Sequence, residues 1–470
     1  EIVSDLYLDY LWRLLKRSQN DPVKMLENIR TLPEQHPQQD LQQSSSLCNL
    51  PFDGSSHTYD RNSAVNYALS HARAQNYNPD YPSYDDDIHG DCTNFVSQAL
   101  FEGGGVTMAI PDPLPPPSEG GQLGWYLLDD TRRATAWNDV GKLHEFITNP
   151  YAWPEGPEGC EISLNLIELG DIIQYEWNDS LEGPENPVIW DHSVIVVRLV
   201  DGMPYVASHS PNVESEPYTS FEYFGNYEDI RFIHVERSDG YLPVNTRVQE
   251  PDDDGGTNPS GCYFSSSDNE VYLGSCNLGG NITSGFRFTG INVPQNADIK
   301  YAYIIFTVDG SYSNPLQLQI SGEESSDSNP FSSSSPPASR PLTANPIPWS
   351  ISSPWELGLR RTSPQLAPLI EDIVDHQNWY PGNALAIIFE NTETGTQHRR
   401  VIAQERASWD PALSSARLIM AYTGFGPPVP SDTPTSTPTS PPTSTPTSKP
   451  SSTHSYTPTF TSPRTATPDT

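Results

Sequence analysis

The sequence has few cysteines, few basic residues and no long apolar run. Its 470 residues include five cysteines, and none of them forms a Cys-x-x-Cys pair, so a thiolate zinc site is not expected. No stretch approaches the roughly 18 apolar residues of a transmembrane helix. The 25 basic residues face 60 acidic ones, which gives a formal net charge of -35. We therefore expect no nucleic acid partner and no membrane insertion.

The acidic excess includes two short runs that could bind calcium, at residues 85–87 and 252–254. Neither shows the spaced oxygen ligands and glycine of an EF-hand loop, so we interpret both as solvated loops and expect no metal or cofactor. The opening Glu1–Lys16 is interrupted by charged residues and has no apolar h-region. We expect no signal peptide there, and we interpret the chain as a processed or trimmed product.

Composition and periodicity divide the chain into five segments. Residues 1–50 form a helical N-terminal segment and a Gln/Ser-rich linker, and residues 51–237 place helices before strands in an α+β order. An acidic, glycine-containing linker follows at 238–260, and short alternating strands at 261–424 indicate a β-sandwich. Residues 425–470 are Pro/Thr/Ser repeats with almost no apolar side chains, which predicts a disordered tail. The predicted fold class is therefore multidomain.

Within these segments, the spacing predicts particular elements. Helices are expected over 61–75, from Cys92 onward, and after Ser363 as N-cap with Pro364 at the first helical position. Strands are expected at 171–177, 193–199, 204–208, 230–235, 302–308, 316–320, 384–389 and 417–422.

The segment Gly90-Asp91-Cys92-Thr93-Asn94-Phe95-Val96-Ser97-Gln98 carries the first candidate for chemistry. Asp91 is predicted to cap the helix by accepting the Asn94 backbone N–H. Cys92 then lies in the first turn, where the helix dipole lowers the pKa of a thiol and favours the nucleophilic thiolate. A buried structural cysteine on an apolar helical face is the alternative.

A nucleophilic cysteine needs a base from elsewhere in the chain. His192 begins the apolar run Ser193-Val194-Ile195-Val196-Val197 and is the candidate. Asp191 is a poor orienting partner because adjacent strand residues point to opposite faces. The next strand ends at His209, which a hairpin could place beside His192 to fix the ring orientation. An edge-strand residue without chemistry is the alternative for His209.

Four segments together resemble a known bacterial family, the putative amidase domain. They are Tyr59-Asp60-Arg61-Asn62-Ser63-Ala64-Val65-Asn66-Tyr67-Ala68, the Cys92 segment, Leu169-Gly170-Asp171-Ile172-Ile173-Gln174-Tyr175, and Asp191-His192-Ser193. The family looks related to the NlpC/P60 and CHAP enzymes of the papain-like superfamily. The resemblance covers about residues 57–237, and the acidic, proline-containing segment 176–189 departs from it.

The resemblance implies an activity and roles for three residues. Cys92 matches the family nucleophile, His192 the base and His209 the third polar position. The implied reaction is amide hydrolysis through a thioester on a peptide or peptidoglycan substrate, without metal or cofactor. The oxyanion hole would use the Cys92 backbone N–H and an upstream donor, for which Tyr84 is the candidate.

The C-terminal half resembles a jelly-roll module of secreted and surface-anchored bacterial proteins. The match rests on Gly285-Phe286-Arg287-Phe288-Thr289-Gly290-Ile291-Asn292-Val293-Pro294 and on Ile299-Lys300-Tyr301-Ala302-Tyr303-Ile304-Ile305-Phe306. Some such modules bind carbohydrate. Tryptophans at 349, 355, 379 and 409 could stack on sugars, but core packing is the expected role for most of them.

The number of cysteines indicates the cellular compartment in which the protein is found. If Cys92 is free, the other four allow two disulfides in three connectivities. Cys262–Cys276 would close a local loop and leave Cys48–Cys160, which fits an extracellular or cell-surface location.

Three functions remain open from the sequence. The first is a secreted cysteine amidase or peptidase. The second is a surface binding or adhesion protein whose papain-like domain is inactive. The third is acyl transfer, with an amine in place of water.

Overall fold

The computed structural model describes residues 48, 57–84, 90–117, 122–149, 153, 155–177, 190–220, 227–238, 241–257, 264–276, 280–393 and 395–423. The predicted N-terminal helices, the Pro/Thr/Ser tail, the acidic run at 85–87 and Cys262 lie outside these residues. What is described is mostly β-sheet with few helices. Within these ranges, no helix combines the length and the apolar character needed to cross a bilayer.

The helical elements are short. In chain order the α-helices are α1 (Arg61–His71), α2 (Cys92–Gln98), α3 (Thr135–Asn138), α4 (Val140–Ile147), α5 (Ala367–Val374) and α6 (Gln404–Trp409). A π-helical turn at Ala99–Gly103 follows α2 directly, and 3₁₀ turns lie at Ala74–Asn76, Leu164–Leu166 and Pro337–Ser339.

The described residues also include twenty strands. Those of the first half are β1 (His57–Thr58), β2 (Leu127–Asp129), β3 (Arg132–Arg133), β4 (Pro157–Ile162), β5 (Ile172–Trp177), β6 (His192–Val200), β7 (Met203–Ser208), β8 (Val213–Pro217) and β9 (Tyr227–Ser238). Those of the second half are β10 (Tyr241–Arg247), β11 (Asp254–Thr257), β12 (Glu270–Gly274), β13 (Thr283–Ile291), β14 (Ile299–Thr307), β15 (Leu316–Gly322), β16 (Ile347–Ile351), β17 (Arg360–Thr362), β18 (Asn383–Asn391), β19 (His398–Ile402) and β20 (Arg417–Thr423). The eight strands expected from the sequence are all present.

The first half is built on a seven-stranded antiparallel sheet. Its order is β1-β9-β5-β6-β7-β8, and β4 also pairs with β9. Alternate residues of the central strands serve two cores, as the period of two requires. Ile172 and Ile195 belong to the larger core with α1 and α2, whereas Ile173 and Val194 belong to a smaller core on the opposite face. Helix α2 therefore packs against the face that carries Ile195.

The second half holds two sheets around a common core. The four-stranded sheet has the order β10-β20-β14-β17 and the five-stranded sheet β11-β13-β18-β15-β16, while β12 and β19 form a separate pair. Phe286 and Phe389 of the larger sheet meet Phe306 of the smaller one in that core. The connectivity implied by the jelly-roll resemblance stays a prediction.

The four-stranded sheet is buried on both faces and joins the two halves. Along β14, Ala302, Ile304 and Phe306 face the core of the second half. The intervening Tyr301, Tyr303 and Ile305 belong to the core of the first half. The near-continuous apolar run at these positions therefore reflects a strand that is covered on both sides.

Polar contacts reinforce this junction. The guanidinium of Arg417, 3 % exposed at the side chain, lies 2.5 Å from Glu102 and 2.9 Å from the Tyr81 hydroxyl. Met108 donates its backbone N–H to the Tyr301 hydroxyl at 3.1 Å. Removing one member of such a buried set leaves its partners desolvated and unpaired, so the contacts favour one relative placement of the two halves.

Two local expectations were wrong. The segment 238–260, interpreted as a linker, contains β10 and β11, which pair with β20 and β13. Its proline, aspartate and glycine content suggested a loop, but cross-strand pairing outweighs that composition. Helix α5 begins at Ala367 rather than after Ser363. The Ser363 hydroxyl instead accepts the Ile304 N–H at 3.0 Å, so it is not available as a cap.

The second acidic run is also not a solvated loop. Asp253 and Asp254 are both buried. Asp253 forms an ion pair with Arg287, and Asp254 accepts the Gln404 N–H at 3.0 Å. Burial, with Glu405 nearby, raises the pKa of Asp254 well above its usual range. Within the described residues, no three His, Cys, Asp or Glu side chains are arranged to hold a metal ion.

Candidate active site

Cys92 is the first residue of α2, as the sequence predicted. All seven residues of this helix are buried, although four of them are polar. The polar members are satisfied inside the protein. Trp137 donates its indole N–H to Asn94 at 2.8 Å, and the Ser97 hydroxyl donates to the Trp137 carbonyl at 2.8 Å. The helix is consequently fixed on every side, which holds Cys92 in one position.

The thiol of Cys92 contacts the strand that begins at His192. The Thr93 hydroxyl lies 3.7 Å from the sulfur, and the Ser193 backbone N–H is close enough to lower the pKa of the thiol. The Ser193 hydroxyl is 3.0 Å from the Thr93 hydroxyl, which joins β6 to α2. Tertiary structure therefore brings Thr93 next to Ser193, across 100 positions of sequence.

The charge state of the thiol differs from the expectation. Burial raises the pKa of Cys92, and the hydrogen bonds from Ser193 and Thr93 oppose this rise only in part. The helix terminus was expected to lower the pKa, but a thiol that is 2 % exposed loses more from desolvation than the first turn provides. The resting site therefore holds a neutral thiol.

His192 begins β6, where it pairs with Tyr175 of β5. The two rings lie 6.3 Å apart between centroids. Strand alternation turns Ser193 toward α2 and turns His192 to the opposite face of the sheet, on the side of Tyr175. The predicted pair of Cys92 and His192 is therefore adjacent along β6, but the imidazole does not lie on the face that carries the thiol. Burial lowers the pKa of His192 to about 3, so the imidazole is neutral at pH 7. A base with this pKa is weak, so His192 has to regain solvent or a charged partner before it can take a thiol proton.

His209 does not take the place that the hairpin argument gave it. Its Nδ1 lies 2.6 Å from an Asp91 carboxylate oxygen, and its Nε2 lies 2.8 Å from the His71 carbonyl oxygen. The ring is stacked between Tyr77 and Phe95, at 3.9 and 4.1 Å between centroids. Both nitrogens are thus engaged with other residues, and His209 does not orient His192 through them.

Asp91 is the residue that the sequence argument undervalued. It was predicted to cap α2 through the Asn94 backbone N–H, but its side chain makes no such bond. One carboxylate oxygen instead accepts from the Tyr84 N–H at 2.9 Å and from the Asn94 side-chain amide at 2.8 Å. The other oxygen meets His209, and the Asp91 N–H donates to the Ser210 hydroxyl at 2.9 Å.

These contacts make Asp91 and His209 a buried pair beside the nucleophile. A carboxylate and a carbonyl are both acceptors, so the two contacts of the His209 ring are satisfied together when both nitrogens carry a proton. Each side chain is at most 2 % exposed. The pair clamps the loop before Cys92 to the end of β7, which fixes the start of α2. The Asp-Cys and His signals were both visible in the sequence, but their pairing was not.

Tyr84, the candidate oxyanion donor, is held by Arg133. The guanidinium donates to the Tyr84 hydroxyl at 2.5 Å and lies 4.7 Å from the ring centroid. The Tyr84 main-chain N–H is bonded to the Asp91 carboxylate at the same time. Its assignment to the oxyanion hole stays a prediction.

The remaining candidates divide between core and surface. Trp349, Trp355 and Trp379 are buried, as core packing requires, whereas Trp409 is 64 % exposed.

Cys48 and Cys160 form the expected disulfide, with 5.5 Å between their Cα atoms, and Cys92 is a free cysteine. Cys276 is also disulfide-bonded, and its predicted partner lies outside the described residues.

One family model matches part of the chain. Residues 58–235 match the model of a family described as "Putative amidase domain". This stretch contains Cys92, His192 and His209, together with most of the sheet that carries β6 and β7. The match indicates a hydrolase of the amidase class for this part of the chain.

Comparisons with curated proteins and with solved structures give no further support for a function. No curated protein matches the chain. The structure of infectious bursal disease virus, Gt strain, is 11% identical over 58% of this chain, with a TM-score of 0.17, and the chain spans 59% of its length. The cysteine protease and lectin-like domains of Cwp84, a surface layer associated protein of Clostridium difficile, are 10% identical over 85% of this chain and 95% of that one, with a TM-score of 0.16. Scores this low do not establish a shared fold.

Proposed function

We propose that this chain is a cysteine-dependent amide hydrolase of the papain-like kind, with Cys92 as nucleophile and His192 as base. The observation that supports it is the contact between α2 and β6, where the Thr93 hydroxyl lies 3.0 Å from the Ser193 hydroxyl, inside the region that matches the amidase family. Cys92 therefore lies beside the start of β6. The His192 ring, which strand alternation places on the opposite face, has to turn toward the sulfur to act as its base.

Because the Cys92 thiol and the His192 imidazole are both neutral, the reaction begins with a proton transfer from the thiol. His192 takes the thiol proton while the sulfur attacks the amide carbonyl carbon, which forms a tetrahedral intermediate. The C–N bond then breaks, His192 returns that proton to the leaving amine, and a thioester to Cys92 remains. Water attacks the thioester with His192 as base, and the acid leaves as the thiol reforms. An amine in place of water would give acyl transfer.

The other residues have supporting roles. His209 acts through Asp91 as a positioning residue for the Cys92 segment. The Cys48–Cys160 disulfide supports a secreted or cell-surface location, because such bonds persist in oxidising compartments. Peptides or peptidoglycan stems are the proposed substrates, and the β-rich half is a candidate carbohydrate contact through the exposed Trp409.

One feature favours the alternative of an inactive, surface-binding protein. Cys92 and His192 are both almost fully buried, so substrate cannot reach the sulfur without some opening of the site. A binding protein would need no such opening. The alternative therefore predicts no covalent intermediate on Cys92 with any amide.

The test is to trap the intermediate. Wild type and Cys92→Ala protein would be incubated with peptidoglycan and with a peptide library, and both products and intact protein followed by mass spectrometry. We expect new carboxylate products and a hydroxylamine-sensitive adduct on Cys92 in the wild type only. His192→Gln should slow the reaction by about a hundredfold, in the usual range for loss of a general base. Equal products from wild type and Cys92→Ala would refute the proposal.

A further inference from the structure

A cavity of about 320 Å³ lies beside the Asp91–His209 pair. Its walls come from both halves of the protein, since Pro411 and Ala412 of the second half face Tyr77 and Pro82 of the first. This volume is at the lower end of the range found for ligand pockets. Asp91 lies on its wall and directly precedes Cys92, so the cavity adjoins the segment that carries the proposed nucleophile.

One wall of this cavity carries a buried donor. Gln98, the last residue of α2, is 3 % exposed and lines the cavity. It lies seven residues after Asp91, which is two helical turns along the same side of α2. Its side-chain oxygen accepts from the Tyr67 hydroxyl at 2.8 Å. Its side-chain nitrogen donates to no residue that the structure describes.

A chain of hydrogen bonds fixes which end of Gln98 is the donor. The Asn78 side-chain oxygen accepts the Asp80 N–H at 3.0 Å, so the Asn78 side-chain nitrogen is the end that faces Tyr67. That nitrogen donates to the Tyr67 hydroxyl at 3.1 Å, and the hydroxyl passes its own proton to Gln98. The Gln98 oxygen is thereby used, and its NH₂ group is the end left for a ligand.

We propose that this cavity binds the uncharged peptide segment on one side of the scissile amide, with Gln98 donating to a carbonyl oxygen of that segment. The inference rests on the proposed amide hydrolysis, because it assigns a substrate subsite to it. Gln98 lines the cavity and its oxygen is used by Tyr67, so its NH₂ group can donate to an acceptor on an occupant.

The charge of the lining residues determines which class of ligand the cavity can bind. None of the residues that line the cavity is Lys or Arg, and Asp91 is already paired with His209. A free carboxylate would find no cation there, and it would add to a net charge of -35. Tyr77, Pro79 and Pro82 offer apolar surface instead. A neutral backbone segment with small side chains fits both properties.

Binding can be measured without turnover. The Cys92→Ala protein would be titrated with acetyl-Ala-Ala-Ala-amide by isothermal calorimetry or NMR. The probe with a free C-terminal carboxylate should bind about tenfold more weakly, as a buried, unpaired charge requires. Gln98→Glu keeps the acceptor for Tyr67 but replaces the donor with an oxygen, and should weaken binding of the neutral probe about tenfold. Gln98→Met, which removes both groups, should lose a similar factor.

A second variant tests the part of the cavity wall that comes from the second half of the protein. Ala412→Trp should fill the cavity and abolish binding, whereas Ser408→Trp, on the exposed side of α6, should leave it unchanged. Unchanged affinity in both Gln98→Glu and Ala412→Trp, or no binding of the neutral probe by the parent protein, would overturn the inference. Turnover in the wild type would then still support the hydrolase, so the two proposals fail separately.

Discussion

The buried pair of Asp91 and His209 can be tested by a double-mutant cycle. The structure assigns His209 to Asp91, whereas the family resemblance would assign it to His192. We therefore expect His209→Leu and Asp91→Ala to be strongly coupled. The 2.6 Å separation and the nearly complete burial of both side chains place this contact among charge-assisted hydrogen bonds. Such bonds contribute about 1.5–3 kcal/mol to stability.

The single variants should cost more than the coupling energy. His209→Leu also removes the stacking on Tyr77 and Phe95 and leaves Asp91 without its partner, so its total cost should be about 3–5 kcal/mol. Stacking alone is expected to account for about 0.5–1.5 kcal/mol of that loss. Tyr77→Leu serves as the matched control, since it removes one stacked ring and leaves the Asp91 contact in place.

Urea denaturation at pH 7 measures each free energy of unfolding, with the m-value checked for constancy. The parallel cycle between His209→Leu and His192→Gln should show little coupling. A coupling below about 0.5 kcal/mol with Asp91, together with a larger value for His192, would refute our reasoning. It would restore His209 as the direct orienting partner of the base.

Other variants test the rest of the structure. Arg417→Met leaves the part-buried Glu102 without its cation and should lower the free energy of unfolding by about 3–5 kcal/mol; a loss under about 1 kcal/mol would contradict a structural role for the pair. His192 has a folded pKa of about 3, so only the unfolded chain gains its proton as the pH falls below about 6.5, and stability should drop by up to about 1.4 kcal/mol per pH unit. His192→Gln should remove that part of the acid slope, and an identical slope would show that His192 is not buried. Cys48→Ala with Cys160→Ala opens a link between residues 112 apart and should cost about 2–5 kcal/mol, as judged by thermal and urea unfolding; unchanged stability would contradict the predicted cross-link.

The strands and helices were largely predictable from local sequence. The run at 193–199 lies within β6 and the run at 417–422 within β20, because apolar patterning reports burial directly. The start of α2 at Cys92 was also predictable. The errors arose where a distant partner changed the outcome, as at Ser363, whose hydroxyl bonds to β14 rather than to the next helical turn.

The two halves of the protein show the same difference between features that local sequence predicts and features that depend on distant residues. A β-rich second half could be inferred from short alternating strands. The sequence did not indicate that β14 and β20 would be covered on both faces by two different cores. The apolar run at 299–306 was compatible with this arrangement, but the identity of the second covering surface is a long-range property.

The sequence by itself determined the types of residue at the candidate site, the helical position of Cys92 and the strand position of His192. Tertiary structure alone decided that Thr93 lies next to Ser193, that His209 pairs with Asp91, and that the thiol pKa is raised rather than lowered. The reason is physical. Patterning depends on neighbours within a few residues, whereas desolvation and hydrogen-bond pairing depend on groups that folding brings together from more than 100 positions away.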